Sequence, residues 1–179
     1  MTTALRFDAR REGMGLQRLL VQVERIAAWP DERLETHAPG VSGWTVGQQL
    51  MHLALACELS LKNVRSLVSG KGRLVRACGE MSEPARQVLS RGRFPRGVAE
   101  APRFVTPPER IDLELARSFA REIRPALEAL AADWQAADEA PACVAHQLLG
   151  DLNAGHWLRF ARAHTAHHLL IIREITGRR

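Results

Sequence analysis

His164 and His168 stand four residues apart in a stretch whose other periodic positions, Trp157, Phe160, Ala161, Ile171, Ile172 and Ile175, are apolar. Residues at i and i+4 stack on one helix face, so two imidazoles fill the middle of what is otherwise a core-facing seam. Leaving such groups buried without partners costs roughly 1–3 kcal/mol each. A divalent metal ion satisfies both at once, at about 2.0–2.1 Å from each ring nitrogen. Two ligands do not make a tight site, and His52, the one histidine inside the apolar run 50–57, is the natural third. The bland alternative is a set of core histidines hydrogen-bonded to backbone carbonyls. Three imidazoles with a fourth position open have the make-up of a catalytic rather than a closed structural site. Imidazole ligands suit zinc or nickel first, with iron or manganese behind them.

The elements that must position these residues are helical. Apolar residues Leu16, Leu19, Leu20, Val23 and Ile26 form one stripe of a helix over 11–29, stopped by Pro30. A second helix is expected over 45–68, opened by Thr45 and Gln48 as a capping box and closed before Gly70. Pro107 and Pro108 signal a third over 109–134, with Leu113, Leu115, Ala116, Phe119, Ile123, Leu127 and Leu130 as its core face. Asn153 is the expected N-cap of a fourth that ends before Gly177 and carries His164 and His168. No segment shows a strand alternation. Four amphipathic helices of this length make a helix bundle the simplest all-α solution, one domain over 1–179. Residues 71–106 form a long excursion between helices two and three, with a short helix over 83–90 and irregular chain from 91 to 106.

The segment Trp44-Thr45-Val46-Gly47-Gln48-Gln49-Leu50-Met51-His52-Leu53 resembles the WSxxExLxHL opening of helix two in the DinB-like metal-binding four-helix proteins. His164-Thr165-Ala166-His167-His168 is similar to that superfamily's HxxHH signature, and the stretch from His146 to Trp157 to the HPxFGxLTxxEW lead-in of one DinB-related subfamily. Gln147 departs from that lead-in where Pro is usual, and His156 where an acid is common. The resemblance implies an up-up-down-down bundle, a metal triad of His52, His164 and His168, and a homodimer. It implies a metal-dependent hydrolase or a low-molecular-weight-thiol transferase acting on a small molecule, with a non-catalytic metal-binding bundle dimer as the alternative. In that family the positions near Trp44 and Trp157 border the pocket; by pattern alone both are core anchors.

His167 lies 100° round the helix from His168, at the pocket or on the surface. His156 reads as a helix-start residue, His146 as an anchor of the loop before helix four, and His37 as a loop residue. Cys57, five residues after His52, reads as a small core residue. No residue stands out as a general base.

The 179 residues carry a net charge of +5, and Lys62 and Lys71 are the only lysines among 25 basic residues. The excess is local, because residues 71–103 hold eight basic residues against Glu80, Glu83 and Glu100. No helix-turn-helix, zinc finger or aromatic RNA platform accompanies it, so the charge does not argue for nucleic acid. A solvated arginine-rich surface is expected, or a segment that folds over the metal site and attracts an anion. Cys57, Cys78 and Cys143 are widely spaced and odd in number, which reads as neither a disulfide framework nor a metal knuckle. With no apolar leader and no membrane-length run, a reduced, cytoplasmic protein is the expectation.

Overall fold

A computed structural model describes residues 5–97 and 100–177. Four long helices carry the fold, and each begins at a side-chain cap. Helix α1 (Ala9–Ala27) starts where Asp8 accepts from the Arg11 amide. A single turn, α2 (Asp31–Leu34), follows Pro30. Helix α3 (Val46–Ser69) opens on the expected capping box, Thr45 with Gln48, and closes at Gly70 in the left-handed region. Helix α7 (Ala154–Ile175) opens on a second box, Asn153 with His156. The third long helix, α5 (Leu113–Glu128), is shorter than expected at both ends and is capped by Asp112, not by the proline pair.

Both differences in α5 have local causes. The Gln48 side-chain amide donates to the carbonyls of Pro108 and Glu109, at 3.0 and 3.1 Å, which holds that stretch out of helix. Pro125 removes one helical hydrogen bond near the other end, and the chain continues through a 3₁₀ turn (Ala131–Asp133) into the short α6 (Trp134–Glu139). The buried face of α5 is Ala116, Ala120, Ile123 and Leu127, while Leu115 is exposed rather than in the core.

Helix α3 packs against α5 and α7, and α1 packs against the same two, so α1 and α3 stand at opposite corners of the bundle. Between them lie Leu16, Leu20 and Val23 of α1, Leu50, Leu53, Leu61 and Val64 of α3, Ile123 and Leu127 of α5, and Leu158 and Ile172 of α7. Each such side chain contributes on the order of 1.5–3 kcal/mol by leaving water. Helix α3 is buried on several sides, as its nearly all-round apolar middle predicts. One buried carboxylate, Glu12, is set between Arg159 and Arg162 and ties α1 to α7.

The excursion is more ordered than its composition suggests. Helix α4 (Glu83–Arg91) is capped by Ser82 and ended by Gly92 at φ 63°. It is held to α7 by the Arg159 guanidinium, whose Nε donates to the Leu89 carbonyl at 2.8 Å. Before it, β1 (Arg76–Ala77) pairs antiparallel with β2 (Ala142–His146), which pairs with β3 (Gly150–Leu152). The absence of strands expected from the sequence is therefore corrected. Strands β1 and β3 are too short to show alternation, and β2 reads Ala142-Cys143-Val144-Ala145-His146 with Cys143 and Val144 both buried, so it has none. Gly150 sits at φ 77°, and a Cβ there would meet the Glu80 carbonyl oxygen at 2.8 Å.

The same pairing overturns the expectation of a fully reduced chain: Cys78 and Cys143 form a disulfide across 65 residues. Cys57 remains free and buried. Among the described residues, no helix is long and apolar enough to cross a membrane.

The Thr45 hydroxyl accepts the Gln48 amide at 3.2 Å and fixes where α3 begins, two turns before His52. Thr45→Ala should cost about 1 kcal/mol, seen as a fall of roughly 2–4 °C in melting temperature.

Candidate metal centre

His52 comes from the second turn of α3, and His164 and His168 from consecutive turns of α7, two helices that pack directly on each other. One ring nitrogen from each lies within 4.8 Å of the other two. His164 Nε2 is central, 3.3 Å from His52 Nε2 and 3.2 Å from His168 Nε2. His52 and His168 are buried and His164 partly so.

The outer nitrogens of the two flanking rings are engaged. His52 Nδ1 is 2.8 Å from the Val105 carbonyl oxygen, which can only accept, so Nδ1 carries the hydrogen. His168 Nδ1 is 2.6 Å from Gln49 Oε1, and the Gln49 amide nitrogen donates to Ser42 Oγ at 2.8 Å, leaving its oxygen toward the ring. Both rings therefore present a bare Nε2 lone pair to His164, which has at most one Nε2 hydrogen to share between them. Burial pushes the pKa of His52 below its ordinary value, against the opposing pull of the Val105 hydrogen bond. Burial pushes His164 and His168 well below theirs, and the neighbouring imidazoles add to it. A second proton is thus disfavoured where the lone pairs meet.

A divalent cation is the group that fits this donor set. It answers all three nitrogens, and the Nδ1 bonds to a carbonyl and an amide oxygen are those that orient ligating histidines. Among the described residues, the cluster holds no carboxylate or thiolate.

The surrounding wall is aromatic. Trp44 lies against His52 with ring centroids 4.9 Å apart, and Phe160 stacks on His164 at 5.2 Å and 21°. Phe94, from the excursion, meets His164 edge-on at 5.6 Å and 88°. His167 stands outside the trio, edge-on to His168 at 5.1 Å and 5.9 Å from Phe94. Trp157 is one layer back, against Phe160 at 5.8 Å, with its indole N–H donating to the Val144 carbonyl. The excursion does fold over the histidines, through Phe94 and the Val105 carbonyl. Two of its arginines are tied down, Arg96 on Glu174 at 2.6 Å and Arg76 on Asp151.

The other candidates take structural places. His146 accepts the Leu148 and Leu149 amides on Nδ1, at 3.2 and 3.3 Å, and its burial pushes the pKa down to about 4. His156 closes its capping box and bonds the Leu5 carbonyl at 2.8 Å. His37 is exposed. Burial pushes the Cys57 thiol up to about 12, which makes it a core residue and not a nucleophile. A cavity of about 610 Å³ beside Trp134 and one of about 370 Å³ beside Trp29 have none of the trio in their linings.

Gln49, Val105, Phe94 and Phe160 complete the site without having been singled out as site residues by sequence. For Gln49 a signal existed, since it lies three residues before His52 and so shares its helix face. Gln49→Leu removes the acceptor on His168 Nδ1. It should weaken zinc affinity about 10–100-fold, measured by competition with a chromogenic chelator, while the helical circular dichroism is kept.

No curated protein and no solved structure matches this chain. The sequence pattern of the DinB superfamily matches residues 17–172, a span that contains all three histidines and runs from α1 into the last turns of α7. A match over that much of the chain makes this protein a member of the DinB superfamily.

Proposed function

We propose that the protein is a divalent-metal-dependent enzyme that acts on a small molecule, by hydrolysis or by transfer of a low-molecular-weight thiol. Zinc or nickel would be held by His52, His164 and His168. The observation that carries this reading is the meeting of three Nε2 atoms, two of them on rings whose Nδ1 hydrogens are already spent on Val105 and Gln49. When bound, an ion with three imidazole ligands keeps an open position and supplies Lewis-acid chemistry toward water or a thiol.

The remaining work belongs to the chain. Val105 and Gln49 fix the ring orientations before any ion arrives, which lowers the ordering cost of binding. Trp44, Phe94 and Phe160 exclude water from the flanks of the rings, and His164 is the one of the three histidines that is only partly buried. The diagonal placement of α1 and α3 supports the up-up-down-down order, because every neighbouring pair around the ring is then antiparallel. A homodimer belongs to the same reading.

Elemental analysis of protein purified without an affinity tag should find about one equivalent of metal per chain, lost in His164→Ala. Thiol-transfer or hydrolase turnover in a broad substrate screen should vanish with a chelator and return with the ion. A metal-free wild type refutes the reading, and stoichiometric metal with no turnover leaves the non-catalytic metal-binding bundle in its place.

A further inference from the structure

The His164 ring is covered by the excursion directly and backed by the β2–β3 hairpin through Phe160 of α7. Phe94 of the excursion meets it edge-on, and Phe160 stacks on it from behind, itself covered at 4.7 Å by His146 of β2. The excursion and the β2–β3 hairpin meet at residues 76–82. The non-covalent pairing there is slight. Arg76 and Ala77 form a two-residue strand, Met81 bridges Gly150, and the Ser82 amide donates to the Leu149 carbonyl at 3.1 Å. The Asp151 carboxylate gathers Arg76 and the Gly79 amide, the latter at 2.7 Å. A strand of that length has little stability of its own. The covalent bond between Cys78 and Cys143 sits in the middle of this junction.

We propose that Cys78–Cys143 is a thiol–disulfide exchange site for small dithiols and that its oxidised form clamps the cover of the histidine cluster. Cys78 is exposed and Cys143 is buried, which fixes the direction of attack. A dithiol's thiolate attacks Cys78 Sγ, the S–S bond breaks, and Cys143 departs as a thiolate that takes up a proton. The second thiol of the reagent then attacks the mixed disulfide, loses its proton and forms the reagent's own disulfide. This releases Cys78 as a thiol, and two electrons have passed from reagent to protein. The Pro141 carbonyl oxygen, 3.5 Å from Cys78 Sγ, is in place to accept the new S–H. Cys57 does not enter the exchange, because it is enclosed in the bundle. Once the bond is cut, segment 76–82 is held by the Asp151 contacts and a few backbone bonds. Phe94 and Val105 lie beyond α4, so the cover lifts from the histidines only as far as the remaining anchors give, namely buried Leu89, the Arg159 bond to its carbonyl and the Arg96–Glu174 pair.

The consequence for metal retention rests on the proposed metal centre, whereas the opening itself does not. The full-length, tag-free protein should give no native labelling by iodoacetamide as purified, and two labelled cysteines, Cys78 and Cys143, after dithiothreitol. Hydrogen exchange should quicken at least tenfold around 76–82, Phe94 and Val105 on reduction, with α1 and α5 unchanged. Zinc-loaded Cys78→Ser/Cys143→Ser protein should surrender its zinc to a chelator at least tenfold faster than oxidised wild type. If that variant does not fold, dithiothreitol-treated wild type decides through exchange alone. Native labelling of Cys78 without reductant, or exchange near Phe94 and Val105 that ignores reduction, overturns the proposal. A protein that takes up no zinc overturns the metal centre and leaves the exchange measurement to judge the clamp.

Discussion

One imidazole nitrogen in contact with two others, with at most one proton among the three, is an unfavourable arrangement for a folded chain to maintain in a poorly solvated place. His164 Nε2 faces His52 Nε2 at 3.3 Å and His168 Nε2 at 3.2 Å, and neither flanking ring can turn its hydrogen inward without leaving Val105 or Gln49 unpaired. Much of the structure holds those rings in place. The Thr45 cap sets the start of α3, the Asn153 and His156 cap sets the start of α7, and direct packing of α3 on α7 brings the two faces together. Trp44, Phe94 and Phe160 then wall the rings in. A buried lone-pair cluster of this kind makes physical sense as a cation site, and the bundle supplies the rigidity such a site needs.

What could be read from the sequence was what local chemistry determines. The spacing of His164 and His168, the apolar surroundings of His52 and the capping residues Thr45, Gln48 and Asn153 all act within a few residues of chain, and each appears in the structure where the sequence puts it. What could not be read depends on contacts far apart in sequence. Val105 reaches His52 across 53 residues, and Gln49 reaches His168 across 119. Pro107 and Pro108 signal a helix start, yet Gln48 of another helix takes the carbonyls that such a start would use. Cys78 and Cys143 look unrelated until β1 pairs with β2, because spacing carries no information on a link across 65 residues.

The arginine-rich excursion shows how composition can mislead about role. Its charge gives the chain a basic isoelectric point, but what the segment delivers to the site is an uncharged carbonyl and one phenyl ring. Two of its arginines serve the cover itself, Arg76 through Asp151 and Arg96 through Glu174 at the end of α7. The segment thus supplies a hydrogen-bond acceptor and an aromatic wall to the histidines, and is tied to α7 through Leu89 and Arg96.

X-ray absorption at the metal edge of tag-free protein loaded with one equivalent of zinc tests the central claim most directly. The structure predicts nitrogen scatterers at about 2.0–2.1 Å, with the outer-shell pattern of three imidazoles and no sulfur contribution. Loss of one imidazole in His52→Ala should follow. A spectrum showing sulfur ligation, or zinc bound without an imidazole pattern, would contradict it.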